Sequence, residues 1–479
     1  MTEKAFPYGW ALLALLLGLT VLRGVFAALV ELSPDEAYYW AWSAQPAWGY
    51  YDHPPGVAWL IAAGTALLSD IELGVRLPAL LCSLSSVWMV YLLTREVTGS
   101  RRQAFWVALL LAGSPIFSVG AVIHTPDALL AAAWSTALWF TLRAVRFDRL
   151  LDWIFLGVCI GVAALAKLTG WFLLPCLGLF VLCCKVGRTR LKRPGPALTL
   201  LVAVLIALPN LLWSSGEGGG AYAFQLAHVT GGLHFSPQGF LAFLGGQAGV
   251  VSPLLWVGLV LFMAVSWRRA VRFGRNEAFM MWCFSAPLLL LCALLSVAGR
   301  VEANWPAVAY IAALPGAAWA WTGGRFYLRR IRLWTGLTLG VAAAMTLVIH
   351  LQALVPFLPV GDELDATARL RGWKDLAREA VREADKLKAT LASEGYGPVS
   401  ELRFYSGRPV VYEPSSTRRS QYDLWEQQAP GDTLLFLQPV TTRSPPKSCT
   451  GSRASWILMK SGDDVPRRAE RFRWWVCER

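Results

Sequence analysis

The sequence predicts a polytopic, all-α membrane protein that carries a small α/β domain on the outer side of the membrane. Three observations support this prediction. Hydrophobic residues make up 56% of the 479 residues and charged residues only 16%, whereas soluble proteins have about 25% charged residues. Apolar segments long enough to cross a bilayer recur along the first 356 residues. From about residue 360 the sequence becomes charged and rich in turn-forming residues.

The apolar segments predict about eleven transmembrane helices, each close to the ~20 residues that a bilayer requires. The first is too long for the apolar core of a signal peptide and lacks a small-residue cleavage site, so it is interpreted as a membrane helix. The predicted domains are a membrane domain, 1–356, with a first external loop, 31–73, and a soluble domain, 357–479. The predicted helices are 8–30, 74–94, 103–121, 126–142, 152–166, 169–185, 196–213, 246–267, 278–298, 304–321 and 332–356.

The distribution of Lys and Arg predicts which loops face the cytoplasm. With the N-terminus inside, the cytoplasmic loops together with Lys4 hold twenty Lys and Arg residues, and the opposite loops of the membrane domain hold two, Lys167 and Arg300. This bias follows the positive-inside rule and places the first external loop and the C-terminal domain outside. Because topology accounts for most of the net charge of +13, the charge does not indicate nucleic-acid binding.

The C-terminal domain is predicted to begin with an amphipathic helix over 363–394. Four short runs of apolar and β-branched residues then predict strands, at 399–405, 409–413, 432–437 and 455–460. The two external cysteines, Cys449 and Cys477, are compatible with a disulfide in an oxidising compartment. The sequence contains neither a Walker A loop nor a CxxC or HExxH metal motif, which argues against a nucleotide-driven pump.

Polar residues gather on the external side of the predicted topology. Ionisable groups at membrane depth are costly and usually mark a pathway or a site. Carboxylates suit a base that deprotonates an acceptor, cations and histidine suit a phosphate, and aromatic faces suit sugars. Simpler roles remain open, because some of these acids could only cap helices and the cations could only snorkel or pair. The candidates are Asp35, Glu36, Tyr51, Asp52, His53, His124, Asp127, Lys167, His228, His234, Arg300, Glu302 and Asn304.

Several segments resemble those of one family, in the same order along the membrane region. They are DEAYYWAW and GYYDHPPG in the first external loop, then HTPDALL, GVAALAKLTGWFLLP and NWPAVAYIAALP. These segments are similar to those of the GT-C glycosyltransferases that use polyprenyl-phosphate sugars, including protein O-mannosyltransferases and the aminoarabinose transferase of lipid A. The resemblance implies a GT-C fold with an internal N-terminus, an acidic first external loop and an external C-terminal domain.

The resemblance also implies a role for each candidate residue. It makes Asp35 the catalytic base, Glu36 its support and Asp127 the second external acid. His53 stands where relatives often have a phosphate-binding lysine, which weakens that role or makes it pH-dependent. The residues implied to bind donor phosphate or substrate are His53, Lys167, Arg300, Asn304, Tyr51 and His124.

The function implied is inverting transfer of a hexosyl or pentosyl group from a polyprenyl (undecaprenyl) phosphate donor. The acceptor would be lipid A, lipopolysaccharide, or another glycan, lipid or protein at the periplasmic face of the bacterial inner membrane. No cofactor is required, although Asp35, Asp127 and His124 could contribute ligands to a divalent metal. Two alternatives stay open: a transporter or flippase of lipid-linked sugars that uses the acids as a proton relay, and a non-catalytic scaffold.

Overall fold

The described chain divides into two compact units that are interleaved in sequence. One unit comprises residues 1–24, 53–57 and 77–348, and the other comprises 25–52, 58–76 and 349–479. The second unit therefore combines most of residues 31–73, the predicted first external loop, with the C-terminal segment. The computed structural model describes residues 6–216, 222, 235–273, 276–299, 301–322, 328–361, 364–414, 418–425, 433–439, 451–455 and 472–478.

Up to residue 354 the regular structure of the described residues is helical. The short segment Leu168–Phe172 forms a 3-10 helix. The α-helices are α1 (Tyr8–Leu29), α2 (Pro34–Ser43), α3 (Gly56–Leu68), α4 (Glu72–Thr98), α5 (Arg101–Gly113), α6 (Pro115–Val119), α7 (Pro126–Phe147), α8 (Leu150–Ala166), α9 (Leu173–Cys183), α10 (Lys185–Arg190), α11 (Pro194–Ser215), α12 (Pro237–Val251), α13 (Pro253–Phe273), α14 (Asn276–Cys283), α15 (Ala286–Ala298), α16 (Ala307–Thr322) and α17 (Leu328–Leu354).

Six spans within the described ranges are long and apolar enough to cross a membrane, so the chain is a membrane protein. The predicted span 246–267 is broken in the structure, where α12 and α13 meet at an angle of 112°. The break falls at Ser252, whose φ of 97° no helix accommodates, and Pro253 follows it without an N–H to donate. The spans are Tyr8–Leu29, Glu72–Thr98, Pro126–Phe147, Pro194–Ser215, Asn276–Ala298 and Leu333–Leu354.

Helix α8 packs closely on α11 because two glycines face the contact. A Cβ atom on Gly157 would lie 2.7 Å from the carbonyl oxygen of Thr199, and one on Gly161 would lie 2.7 Å from Cβ of Ile206. The Thr199 hydroxyl donates to the Trp153 carbonyl oxygen at 2.8 Å across the same interface. Small residues four positions apart allow membrane helices to approach in this way.

The C-terminal segment folds around a five-stranded sheet in the order β2-β1-β3-β5-β4. The first three strands of that order run parallel, and β5 pairs antiparallel with both β3 and β4. Parallel neighbours need crossover connections, and helix α19 supplies one between β1 and β2. The elements are the 3-10 helix Ala366–Leu370, α18 (Trp373–Leu387), β1 (Thr390–Glu394), α19 (Tyr396–Ser406), β2 (Val410–Glu413), the 3-10 helix Gln421–Asp423, β3 (Thr433–Pro439), β4 (Gly451–Ser455) and β5 (Phe472–Glu478).

Of the predicted C-terminal elements, one helix is shorter than predicted, one strand is wrong and two strands are confirmed. The predicted helix 363–394 ends at Leu387 and β1 follows it, while the predicted strand 399–405 belongs to helix α19. In α19 the apolar residues Val399 and Leu402 are buried at helical spacing, and a run this short does not distinguish helix from strand. Strands β2 and β3 confirm the predictions at 409–413 and 432–437. Most of the predicted strand 455–460 lies outside the described residues.

Helix α2 of the first external loop packs on α19 within the second unit. A Cβ atom on Gly397 would lie 3.1 Å from Cβ of Pro34, so the two helices are in close contact at their first turns. The Tyr405 hydroxyl accepts the backbone N–H of Leu32 at 2.7 Å, just before α2. Strand β5 carries Cys477, which is fully buried and disulfide-bonded, whereas Cys449 lies outside the described residues.

Asp365 is a buried carboxylate that holds the connection after α17 in place. Its Oδ1 accepts from the N–H and hydroxyl of Thr367 at 2.8 and 2.6 Å. Its Oδ2 accepts from Gln352 at 2.9 Å and Arg371 at 2.7 Å. Burial alone would raise the pKa of Asp365, but these hydrogen bonds outweigh burial and lower the pKa to about 2.

Replacing Asp365 by asparagine is expected to lower the melting temperature at neutral pH by about 2–4 °C. Because folding lowers the pKa of Asp365, the ionised carboxylate stabilises the folded state fully at any pH above the ordinary pKa of an aspartate. This stabilisation is lost as the pH falls towards 2. The difference from wild type should therefore shrink between pH 4 and pH 2, as measured by thermal unfolding in detergent. The control is Asp375→Asn, at an exposed i,i+3 pair with Arg378, which should shift the melting temperature little.

Candidate active site

The candidate residues fall in both compact units, and each group is described within its own unit. In the second unit, the "Asp35 cluster" comprises Tyr38, Asp35, Asp52, Tyr396 and Arg418. In the first unit, the "Asp127 cluster" comprises Asp127, Lys167 and Asn304. Both clusters contain carboxylates held by cations or hydrogen-bond donors, as a site for charged substrates requires.

Asp35 lies in the first turn of α2 because the local sequence specifies a helix start there. Ser33 is the N-cap, Pro34 is the first helical residue, and Glu36 completes a capping box. The Glu36 N–H donates to the Ser33 hydroxyl at 3.3 Å, and the Ser33 N–H donates to Glu36 Oε2 at 3.0 Å. The partial positive charge at a helix N-terminus favours a carboxylate at the position of Asp35.

Glu36 is fully buried and forms a two-pronged ion pair with Arg76 of α4. Arg76 Nε donates to Oε1 and Nη2 donates to Oε2, both at 2.8 Å. The same guanidinium donates to the carbonyl oxygens of Ala27 and Val30 at 2.9 and 2.6 Å, where α1 ends. Glu36 and Arg76 therefore fix the end of α1 and the start of α2, the helix that carries Asp35 in its first turn.

The Asp35 carboxylate is partly exposed and has partners from the C-terminal segment. Its side chain is 36% exposed, and Arg369 Nη2 lies 3.6 Å from Oδ2. The Tyr396 hydroxyl donates to Oδ1 at 3.0 Å. Asp35 thus combines solvent access with a fixed orientation, as a proton acceptor requires.

Asp52 is buried beneath the same surface and is paired. The Tyr38 hydroxyl donates to Oδ2 at 2.9 Å, and Arg418 forms an ion pair with Oδ1. Burial raises the pKa of Asp52, and the Arg418 charge and the Tyr38 hydrogen bond oppose that rise. The N–H of Tyr51, the residue before it, donates to the Gln421 side-chain oxygen at 2.7 Å, so the loop is tied to the C-terminal segment.

Four residues of this unit were missed by sequence reasoning. Arg76 lies inside a largely apolar helix, and the sequence around it does not show which residue it pairs with. Arg369, Tyr396 and Arg418 lie in the C-terminal segment, more than 330 residues from the carboxylates they contact. The presence of an arginine near the start of an apolar helix, as at Arg76, could have indicated a buried ion pair. The three distant residues carry no local signal.

The Asp127 cluster brings together three of the predicted residues. Asp127 lies in the first turn of α7, and Lys167 is the C-cap of α8. Lys167 Nζ donates to Asp127 Oδ1 at 2.8 Å, and Asn304 Nδ2 donates to Oδ2 at 2.8 Å. The Lys167 and Asp127 side chains are 13% and 23% exposed. The predicted acid and the predicted phosphate-binding cation are therefore partners, and Asp127 holds Lys167 in place.

Asp127 also lines a cavity of the first unit whose other walls are mostly apolar. The lining includes Asp127 and small side chains of α7 and α16. An apolar chain that ends in a polar group would match such a lining. The lining includes Ser83, Val87, Ile116, Phe117, Ala131 and Ala307.

The remaining predicted residues are distributed as follows. His53 is half-buried in the turn before α3, and His124 is fully buried in the turn before α7. Arg300, His228 and His234 lie outside the described residues. Among the described residues, no group of three or more His, Cys, Asp and Glu side chains could hold a metal ion.

The fold matches that of a solved protein over nearly its whole length. The apo structure of ArnT from Cupriavidus metallidurans aligns with a TM-score of 0.66 at 19% identity and covers 98% of each chain. A second structure of that protein, bound to undecaprenyl phosphate, aligns equally well at 18% identity. At these identities the likeness shows that this chain shares the fold of that protein.

Sequence comparison finds relatives that are named as glycosyltransferases. The family model described as dolichyl-phosphate-mannose-protein mannosyltransferase matches residues 52–213. The lipid A galacturonosyltransferase RgtD of Rhizobium johnstonii is 27% identical over 456 residues, which is 89% of this chain and 90% of RgtD. The undecaprenyl phosphate-α-4-amino-4-deoxy-L-arabinose arabinosyl transferase 2 of Pseudomonas fluorescens is 33% identical over 169 residues, 34% of this chain and 29% of that protein. The predicted resemblance to these glycosyltransferases is confirmed.

Proposed function

We propose that the protein transfers a sugar from a polyprenyl-phosphate donor to lipid A. In bacteria the donor sugar would be linked to undecaprenyl phosphate. The observation that carries the proposal is the Asp35 carboxylate, which is 36% exposed and held through Oδ1 by Tyr396. A carboxylate with one oxygen engaged and access to solvent can take a proton from an acceptor hydroxyl. The names of the relatives support the substrate classes, since RgtD is a lipid A transferase and the arabinosyl transferases are named for an undecaprenyl-phosphate sugar.

The reaction proposed is a single inverting displacement. The acceptor hydroxyl gives its proton to Asp35, and its oxygen bonds to the anomeric carbon on the face opposite the phosphate. The bond from that carbon to the phosphate oxygen breaks, and polyprenyl phosphate leaves with the electron pair. Since phosphate is a good leaving group, no cofactor and no strong general acid are required. Lys167 is assigned to the charge that develops on the phosphate, and Asp127 and Asn304 are assigned to its orientation.

The membrane arrangement proposed has about eleven crossings, with the N-terminus in the cytoplasm. Beyond the six long spans and the bent pair, three further predicted crossings match shorter apolar helices. Residues 103–121 correspond to α5 and α6, which Ser114 separates. The Lys and Arg distribution supports an inner-membrane protein whose first external loop and C-terminal segment face the periplasm.

The proposed function is tested by mass spectrometry of lipid A from a strain that lacks this protein. The expected result is the loss of one glycosyl substituent, and wild-type protein supplied on a plasmid should restore it. The same analysis on other envelope glycans serves as the comparison. An unchanged lipid A together with a missing sugar elsewhere would reject lipid A as the acceptor, while accumulation of the lipid-linked sugar on the inner leaflet would indicate a flippase.

Replacing Lys167 by methionine is expected to reduce kcat/KM for the donor by about 10- to 100-fold, the effect of losing one charged hydrogen bond. The physical reason is that phosphate binding loses its cation, while Asp127 loses the partner 2.8 Å away. The measurement is transfer kinetics with a radiolabelled polyprenyl-phosphate sugar. Lys374→Met, which also removes a lysine from a carboxylate pair, with Glu72, is the matched control and should keep wild-type donor kinetics. Equal kinetics for both variants would remove Lys167 from donor binding.

A further inference from the structure

The C-terminal segment supplies hydrogen bonds that converge on Asp35. Tyr396 is the first residue of α19, and Arg418 precedes the 3-10 helix Gln421–Asp423. The Tyr396 hydroxyl lies 3.0 Å from Asp35 Oδ1, and Arg418 Nη1 lies 3.1 Å from the Tyr396 hydroxyl oxygen. The three groups form a continuous chain from a guanidinium through a phenol to a carboxylate.

We propose that Tyr396 is a positioning residue for Asp35 and that Arg418 orients the Tyr396 hydroxyl. This inference rests on the proposed role of Asp35 as the base that deprotonates the acceptor. It adds to that role a requirement from a different part of the chain. The base is competent only when the C-terminal segment is docked on α2.

The direction of each hydrogen bond follows from the donors present. A guanidinium has only donors, so the Tyr396 oxygen must accept from Arg418. The phenolic proton is then left for Asp35, which as a carboxylate can only accept. Burial raises the pKa of Tyr396, and the nearby Asp35 charge raises it further, so the phenol keeps its proton at neutral pH. Asp35 Oδ1 is thereby occupied.

The other oxygen of Asp35 is left for the reaction. Oδ2 lies 3.6 Å from Arg369 Nη2, which is longer than an ordinary hydrogen bond. An acceptor hydroxyl can therefore approach Oδ2 while Tyr396 fixes the plane of the carboxylate. Orientation of this kind matters because displacements of about 1 Å in a catalytic group cost large factors in rate.

Arg418 is itself held from two sides. It forms an ion pair with the buried carboxylate of Asp52, and its guanidinium carbon lies 4.8 Å from the centre of the Tyr396 ring. Asp52 also accepts from Tyr38, whose ring lies 4.6 Å from that of Tyr396. The Tyr38 oxygen in turn accepts the N–H of Gln421. Since Arg418 and Tyr38 both contact Tyr396 and are themselves held by Asp52, Tyr396 has little freedom to turn away from Asp35.

The test is steady-state kinetics of the purified full-length Tyr396→Phe variant with donor and acceptor varied separately. We expect kcat to fall by about 10- to 100-fold, as for one lost hydrogen bond to a charged group, with the donor KM within twofold of wild type. The matched control is Tyr412→Phe, which removes a phenol that donates to Asp423 at 2.8 Å in the same unit. It should keep the wild-type kcat.

Arg418→Lys provides a second, independent arm. Lysine keeps the charge beside Asp52 but lacks the fork that reaches both Asp52 and Tyr396, so we expect partial recovery compared with Arg418→Met. A kcat of Tyr396→Phe equal to that of Tyr412→Phe would overturn the inference. So would a kcat for Arg418→Lys no higher than that for Arg418→Met.

The failure of this inference is distinguishable from failure of the proposed function. If Asp35→Asn is inactive while Tyr396→Phe is fully active, only the positioning role is lost. If Asp35→Asn retains wild-type activity, Asp35 is not the base and the proposed mechanism falls with it. Adding Tyr396→Phe to Asp35→Asn should cause no further loss of residual activity, and a further loss would indicate a structural effect.

Discussion

Asp35→Asn is expected to lower kcat for sugar transfer by about 10²- to 10⁴-fold, the usual contribution of a positioned general base. The amide keeps the shape of the side chain and can still accept a hydrogen bond from Tyr396. It cannot take a proton from the acceptor. The loss should therefore fall on kcat, with the donor KM little changed, when transfer to lipid A is followed in detergent.

A second acid in the same loop provides the control for Asp35. Asp70 is exposed and accepts from the indole N–H of Trp40 at 2.7 Å. Asp70→Asn changes the loop charge by the same amount and should keep wild-type kcat. Comparable losses in the two variants would show that loop charge, rather than a base at position 35, controls the rate.

The largest expected effect on stability is at the buried pair of Glu36 and Arg76. Arg76→Met leaves a fully buried carboxylate without its cation and also leaves the carbonyl oxygens of Ala27 and Val30 without their donor. Breaking a buried ion pair from one side costs about 3–5 kcal/mol, which is a large share of the stability of most domains. We expect a large drop in melting temperature and in the amount of folded protein recovered from membranes.

The double variant Glu36→Met with Arg76→Met separates charge from packing. With both ions removed, part of the lost stability should return, because no buried charge is left unpaired. An exposed pair, Asp375 with Arg378, supplies the comparison, and Arg378→Met should change stability by less than about 0.5 kcal/mol. If the Arg76→Met variant has the same melting temperature as wild type, the pair of Glu36 and Arg76 does not hold the start of α2.

The features that could be predicted from the sequence are those that depend on the length of apolar segments and on the distribution of charged residues between loops. The long helices were found because lipid-facing helices need about 20 apolar residues, and Asp35, Asp127 and Lys167 stood out because ionisable groups beside such helices are rare. The helix α19 was misread because Val399 and Leu402 lie in a run too short to show a period. The break at Ser252 was missed, since a positive φ at serine has no sequence signature.

The pairing of residues was beyond sequence reasoning. Lys167 and Asn304 were predicted as phosphate or sugar contacts, and nothing in their spacing indicates that both donate to Asp127. Tyr396 and Arg418 were missed because their contacts with the first loop depend on how the C-terminal segment docks. Such contacts are set by tertiary packing, and a single sequence does not contain that information.

The distance along the chain between Asp35 and Tyr396 has a consequence for biosynthesis. The two residues are 361 positions apart, and ribosomes add about 5–20 residues per second, so roughly 20 to 70 s separate their appearance. During that interval Asp35 lacks the phenol that donates to its Oδ1 in the complete structure. The Asp35 carboxylate can therefore take its final orientation only after the C-terminal segment has been synthesised and has packed on α2.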